Sequence, residues 1–145
     1  MARPGGANPL ANLPRDMSGS GDMKKALALL LVPWLLSGCT ATFTNLTPRQ
    51  MPRSPNNLYP VEVAFRSRQQ SLRWDSIDPK VIVNDQAFPL RPVPMVKNRW
   101  EGQIPVPPGT NLVHYRFRFD FLYNAIGGPQ PDSALSPTYS LKILD

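Results

Sequence analysis

From Tyr59 onward, apolar and polar positions alternate with a period of two. Tyr59, Val61, Val63 and Phe65 interleave with Pro60, Glu62, Ala64 and Arg66, the pattern of a strand with one buried face. Lys80–Val83 runs into Asn84-Asp85 and leaves through Gln86–Leu90. Asn and Asp tolerate the positive φ of a two-residue hairpin turn. Pairing across that turn sets Val81 opposite Phe88, so register and hydrophobic pattern agree. Pro89 cannot donate to a ladder, which predicts an edge position for the second arm. Further on, Val96, Trp100 and Ile104 share a phase against Lys97, Arg99, Glu101 and Gln103, and Pro107-Pro108-Gly109-Thr110 marks a turn. Leu112–Tyr123 predicts the longest strand, with Val113, Tyr115, Phe117, Phe119, Phe121 and Tyr123 inward and His114, Arg116, Arg118, Asp120 and Leu122 on the other phase. Asn124–Pro137 carries Gly127-Gly128-Pro129, Pro131 and Pro137 and reads as a long loop. Thr138–Leu144 closes the chain, with Tyr139, Leu141 and Ile143 in phase.

About seven short strands, turn signals between them and no helical periodicity predict an all-β fold, a single antiparallel β-sandwich. Eighteen prolines agree with this, since each removes a backbone donor and blocks helix interiors. The sandwich is expected over residues 59–145. Residues 39–58 read as an extended tether, with Pro48, Pro52 and Pro55 favouring polyproline conformations. Ala41–Leu46 offers an alternative, a strand along the domain edge, because Phe43 needs burial.

The segment ahead of the tether has a different character. In Met23–Cys39, Lys24 and Lys25 form a basic stretch and Ala26 to Leu36 an apolar run. That run is shorter than the roughly 20 residues needed to cross a 30 Å hydrocarbon core, and Pro33 interrupts it. A basic, then apolar, then small-residue layout is that of a secretory signal peptide. Leu36-Ser37-Gly38-Cys39 resembles the lipobox of bacterial lipoproteins, in which a branched aliphatic and two small residues precede an invariant Cys. The resemblance implies removal of residues 23–38 and a diacylglyceryl thioether, with N-acylation, on Cys39 as the first residue of the mature chain. It further implies export and attachment to a membrane, at the outer membrane or cell surface, since Thr40 and Ala41 lack the Asp that retains such proteins at the inner membrane. Residues 1–22 read as a start-site misassignment or a disordered extension, and on either reading are expected to fall outside the mature protein.

Composition narrows the function. One Cys leaves no disulfide framework or Cys-rich metal cluster, and one His leaves no His-based metal site. The net charge is +6; removing residues 1–38 discards Arg3, Arg15, Lys24, Lys25, Asp16 and Asp22 and leaves +4. An exported domain of that mild basicity does not read as a nucleic-acid protein. No motif places a nucleophile beside His114, so no catalytic residue, metal site or cofactor is expected. Asp75, Asp78 and Asp85 match no oxygen-ligand loop and read as turn residues.

Two candidate binding features remain. Lys97, Arg99, Arg116 and Arg118 share outward phases on two strands expected to be neighbours, and would form a basic ladder for anionic groups on lipid or polysaccharide. Trp74, beside Asp75 near a loop, is the candidate sugar platform. A second resemblance bears on it. Trp100-Glu101-Gly102, then Val106-Pro107-Pro108-Gly109, then Tyr115-Arg116-Phe117-Arg118-Phe119-Asp120 resembles the later strands of early-set immunoglobulin-like sandwiches, which include sugar-binding modules. This chain departs from their pattern at Phe121, where those modules have Gly, and in the wider gap between Gly109 and Tyr115. The expectation is therefore a lipid-anchored, non-catalytic sandwich that binds or scaffolds an envelope protein or polysaccharide, with a cell-surface carbohydrate-binding module as the alternative.

Overall fold

Strands β1 (Ala41–Asn45), β2 (Gln50–Pro52), β3 (Leu58–Ser67), β4 (Asp78–Val83), β5 (Gln86–Pro89), β6 (Arg91–Pro92), β7 (Arg99–Pro105), β8 (Leu112–Ala125), β9 (Gly128–Leu135) and β10 (Tyr139–Leu144) make up the computed structural model, which describes residues 41–145. The only helix among the described residues is a single 3-10 turn, Trp74–Ser76. One sheet runs β1-β3-β7-β6; the other runs β2-β10-β8-β4-β5, with β9 also paired to β8. All pairs are antiparallel except β2 with β10. With β1, β3, β7 and β6 in the A-B-E-D places and β4, β8 and β10 in the C-F-G places, this is the strand order of immunoglobulin-type sandwiches.

Alternation explains the two layers. Along β3, Tyr59, Val61, Val63 and Phe65 are buried; along β8, Val113, Tyr115, Phe117, Phe119 and Phe121 face them. The centre is aromatic: Phe119 lies 4.7 Å from Phe65, 5.0 Å from Trp100 and 5.3 Å from Phe43 between ring centroids. Tilted and edge-on rings such as these contribute about 0.5–1.5 kcal/mol per pair beyond area burial. Val81 pairs with Phe88 across Asn84-Asp85, whose φ values are 47° and 63°, and β5 is an edge strand as Pro89 requires. Gly109, at φ 84°, lets Pro107–Thr110 turn the chain from one sheet to the other.

Three expectations change. The strand count is ten rather than about seven, and two of the additions come from the segment read as a tether. β1 pairs with β3 and sets Phe43 opposite Phe65, while β2 adds Met51 to the core beside Ile143. Buried Thr47 fastens the bend between them, its Oγ1 accepting from Glu62 N–H at 2.9 Å and donating to Glu62 C=O at 3.2 Å. Residues 41–58 thus belong to the sandwich, through the edge-strand alternative that Phe43 suggested.

The second change is at 124–137, a hairpin rather than a loop. β9 pairs with β8 from Arg118↔Leu135 to Ala125↔Gly128. Its prolines fit because Pro129 and Pro131 face Asn124 and Leu122. The N–H of Asn124 donates the other way, to Ser71 C=O at 2.9 Å, and that of Leu122 to Ser76 Oγ at 2.8 Å. These are therefore the pairs whose amide groups point out of the ladder, where a missing N–H costs nothing. Third, Val96 lies outside β7, in an exposed turn.

Candidate functional site

The register separates the four cations expected to form one ladder. Arg99 is on β7 and Arg116 and Arg118 are on β8, in different sheets. Trp100 and Phe119 fill the interior between those strands, so the outward arginines point from opposite faces of the molecule. Lys97 is in the turn before β7, on neither face. Although adjacent in sequence, β7 and β8 are not neighbours, because Pro107–Thr110 carries the chain across the sandwich.

Each face also neutralises its own charge. On the β1-β3-β7-β6 face, Glu62 stands directly opposite Glu101, a repulsive cross-strand pair. Arg99 reaches Glu62 at 2.7 Å and Arg91 reaches Glu101 at 3.2 Å, closing an Arg-Glu-Glu-Arg row. A cleft of about 690 Å³ beside this row is lined by Leu46, Pro48, Met51, Leu90 and Gln103 among others. On the other face, Lys80 sits 2.7 Å from Asp78 and 3.4 Å from Asp120, and Arg118 sits 2.9 Å from Asp120. The hydrogen bond that the Lys80 ammonium donates to Asp78 holds its pKa above the ordinary value. Among the described residues Arg116 makes no ion pair. His114 Nδ1 lies 2.8 Å from Ser140 Oγ in an exposed pair.

Asp75, Asp78 and Asp85 are dispersed: the first pairs with Arg73, the second with Lys80, and the third makes the β4–β5 turn. No group of three metal-ligating side chains occurs among the described residues. Trp74 is 46% exposed, on the 3-10 turn, its ring centroid 6.4 Å from that of Phe65 in a T-shaped arrangement. Its free surface is a partial platform. Cys39 and Leu36-Ser37-Gly38 lie outside the described residues.

A different grouping emerges at one end of the sandwich. Ala41 opens β1 opposite Ser67, the last residue of β3. The turn 93–98 comes to the same end, since Asn98 C=O accepts from Phe65 N–H at 3.0 Å. So does the segment after β3, where Leu72 bridges Tyr123 and Arg73 N–H donates to Leu122 C=O. The β8–β9 tip lies just beyond Tyr123. In immunoglobulin terms these are the B–C, D–E and F–G loops, which share one end.

This end exposes Trp74 at 46%, Met95 at 105%, Val96 at 40% and Ile126 at 106%. It also carries Arg66, Arg68, Arg73 and Lys97, against Asp75 in these loops and Asp132 beside Ala41 and Ser67. Strand alternation could not reveal the cluster. Its one sequence signal is an apolar residue stranded inside a turn, as in Pro94-Met95-Val96 and Ala125-Ile126-Gly127. The chain matches no protein-family model, and no curated protein matches it.

Proposed function

We propose that this is an exported lipoprotein, anchored by acyl groups on Cys39, whose β-sandwich acts by binding or scaffolding rather than catalysis at the outer membrane or cell surface. The observation that carries the reading is that residues 41–145 by themselves form two packed sheets around a buried apolar core that runs from Met51 to Ile143. Cleavage before Cys39 would therefore leave the described sandwich whole. The basic, apolar and small-residue layout of Met23–Cys39 supplies the rest, with Thr40 and Ala41 favouring the outer membrane where the cell has two.

Stable attachment takes two membrane-binding elements, and a diacylglyceryl group brings two chains at one residue. Cys39→Ser should abolish fatty-acid labelling and block removal of the signal peptide, residues 23–38. Continued labelling and processing at the same position would defeat the proposal. The second reading, a cell-surface carbohydrate-binding module, draws on the exposed part of Trp74. It predicts glycan retention that Trp74→Ala abolishes without a change in melting temperature. Nucleic acid is not among the partners proposed.

A further inference from the structure

We infer that the loop end of the sandwich, formed by residues 66–76, 93–98 and 125–128, is a docking surface for the anionic headgroup region of a lipid bilayer. The inference rests on the anchor reading above and adds the face that the anchor presents to the membrane.

Covalent reach sets the geometry. A chain extends at most about 3.6 Å per residue, so Cys39 lies within roughly 7 Å of Ala41. Ala41 is at the loop end, opposite Ser67. An acylated Cys39 would hold that end, and not a face or the far end, against the headgroups.

The side chains there suit an interface of mixed polarity. Met95 and Ile126 are fully exposed at turn tips, and Trp74 offers an indole that is 46% exposed. Trp at the level of the headgroups is a recurrent membrane-interface feature. Around them stand Arg66, Arg68, Arg73 and Lys97; Arg66, Arg68 and Lys97 make no ion pair among the described residues. The opposite end carries a smaller excess of cations, with Asp85 in the β4–β5 turn and Asp145 set against Arg49, Arg53 and Lys142. The polarity thus favours the loop end toward an anionic surface. Each cation near such a surface strengthens binding about fivefold.

The test uses the processed chain, residues 39–145, carrying Cys39→Ser, so that docking is read without the anchor. It is sedimented with phosphatidylcholine vesicles containing roughly a third phosphatidylglycerol, and with phosphatidylcholine alone. Binding should require the anionic lipid and vanish by about 0.5 M salt, where screening is short-ranged. Arg66→Glu with Arg68→Glu should weaken it at least about tenfold, and Met95→Asp with Ile126→Asp should weaken it as well. Leu112→Asp with Leu144→Asp, exposed at the other end, should leave it unchanged. Unaltered thermal melts would establish that every variant is folded. Absence of vesicle binding, equal loss from both ends, or stronger retention on an acidic polysaccharide than on vesicles would overturn the inference. Fatty-acid labelling of the native chain separates the two claims. Labelling without docking keeps the anchor and removes the surface; docking without labelling does the reverse.

Discussion

Replacing Phe43 by Ala asks whether the chain from residue 41 is structural or a tether. Phe43 sits half-buried on edge strand β1, its ring 5.0 Å from Phe65 and 5.3 Å from Phe119. A fully buried Phe→Ala change costs about 3–5 kcal/mol, because transfer and cavity terms add. Partial exposure lowers the first term and lets solvent relieve the second, which brings the expectation to about 2–3 kcal/mol. The cavity would open beside Phe65 and Phe119, both fully buried, so the loss should not vanish through surface rearrangement. Asn45 Nδ2, which donates to Tyr115 Oη at 2.8 Å, ties the same strand to the other sheet and should lose order with it. For a domain of this size 1 kcal/mol corresponds to roughly 4 °C, so the melting temperature should drop by about 8–12 °C. Thermal denaturation followed by circular dichroism near 215 nm, the ordinary β-sheet band, reads this directly. Thr42→Ala and Thr44→Ala, exposed on the same strand, should stay within about 0.5 kcal/mol. A Phe43→Ala melt within 2 °C of the parent, by the same roughly 4 °C scale, would refute the placement of β1 in the sandwich.

Other outcomes follow from the same packing. Phe117→Ala should cost about 3–5 kcal/mol in chemical denaturation, whereas Arg116→Ala, on the outer phase without an ion pair, should stay within about 0.5 kcal/mol. Gly102→Ala should cost about 1–3 kcal/mol by overpacking: its Cβ would meet Leu90 Cδ2 at 2.6 Å, which can rotate, and Pro89 C=O at 3.1 Å, which cannot. Ser136→Ala should cost about 1–3 kcal/mol, because its buried Oγ accepts from Phe117 N–H at 2.8 Å and donates to Pro137 C=O at 2.7 Å. Alkaline pH should destabilise the fold: the hydrogen bond that Lys80 donates to Asp78 raises Lys80 above 10.5, and burial raises Tyr139 above 10.0. Both groups contribute fully below those unfolded values and lose their contribution as pH rises through the folded ones, so a melting temperature that stays level through that range would contradict their placement.

Much of the fold was legible because burial on one face enforces a period of two. The phases of β3, β8 and β10, the Asn84-Asp85 turn and the edge placement of β5 could all be read from side-chain type. Pairings that do not follow sequence order left no such mark. Proline marked residues 41–58 and 124–137 as irregular, yet Pro129 and Pro131 occupy ladder positions whose N–H is not used, and Phe43 needed a partner that only Phe65 and Phe119 supply. The basic ladder failed for a related reason. Phase along a strand tells inward from outward, but it does not say which of two outer faces a residue joins. Arg99 went to one and Arg116 and Arg118 to the other, each beside carboxylates that alternation had placed there too. The loop cluster was invisible for the opposite cause: Trp74, Met95 and Ile126 belong to turns, where periodicity carries no information and only the topology brings them together.

The central claim is that Cys39 is the acylated first residue of the chain that carries the sandwich. Intact mass of the protein extracted from membranes, with fragmentation of its N-terminal peptide, tests this most directly. The account predicts a chain beginning at Cys39 and bearing a thioether-linked diacylglyceryl group there. A chain beginning elsewhere, or an unmodified thiol at Cys39 in the membrane-bound protein, would contradict it.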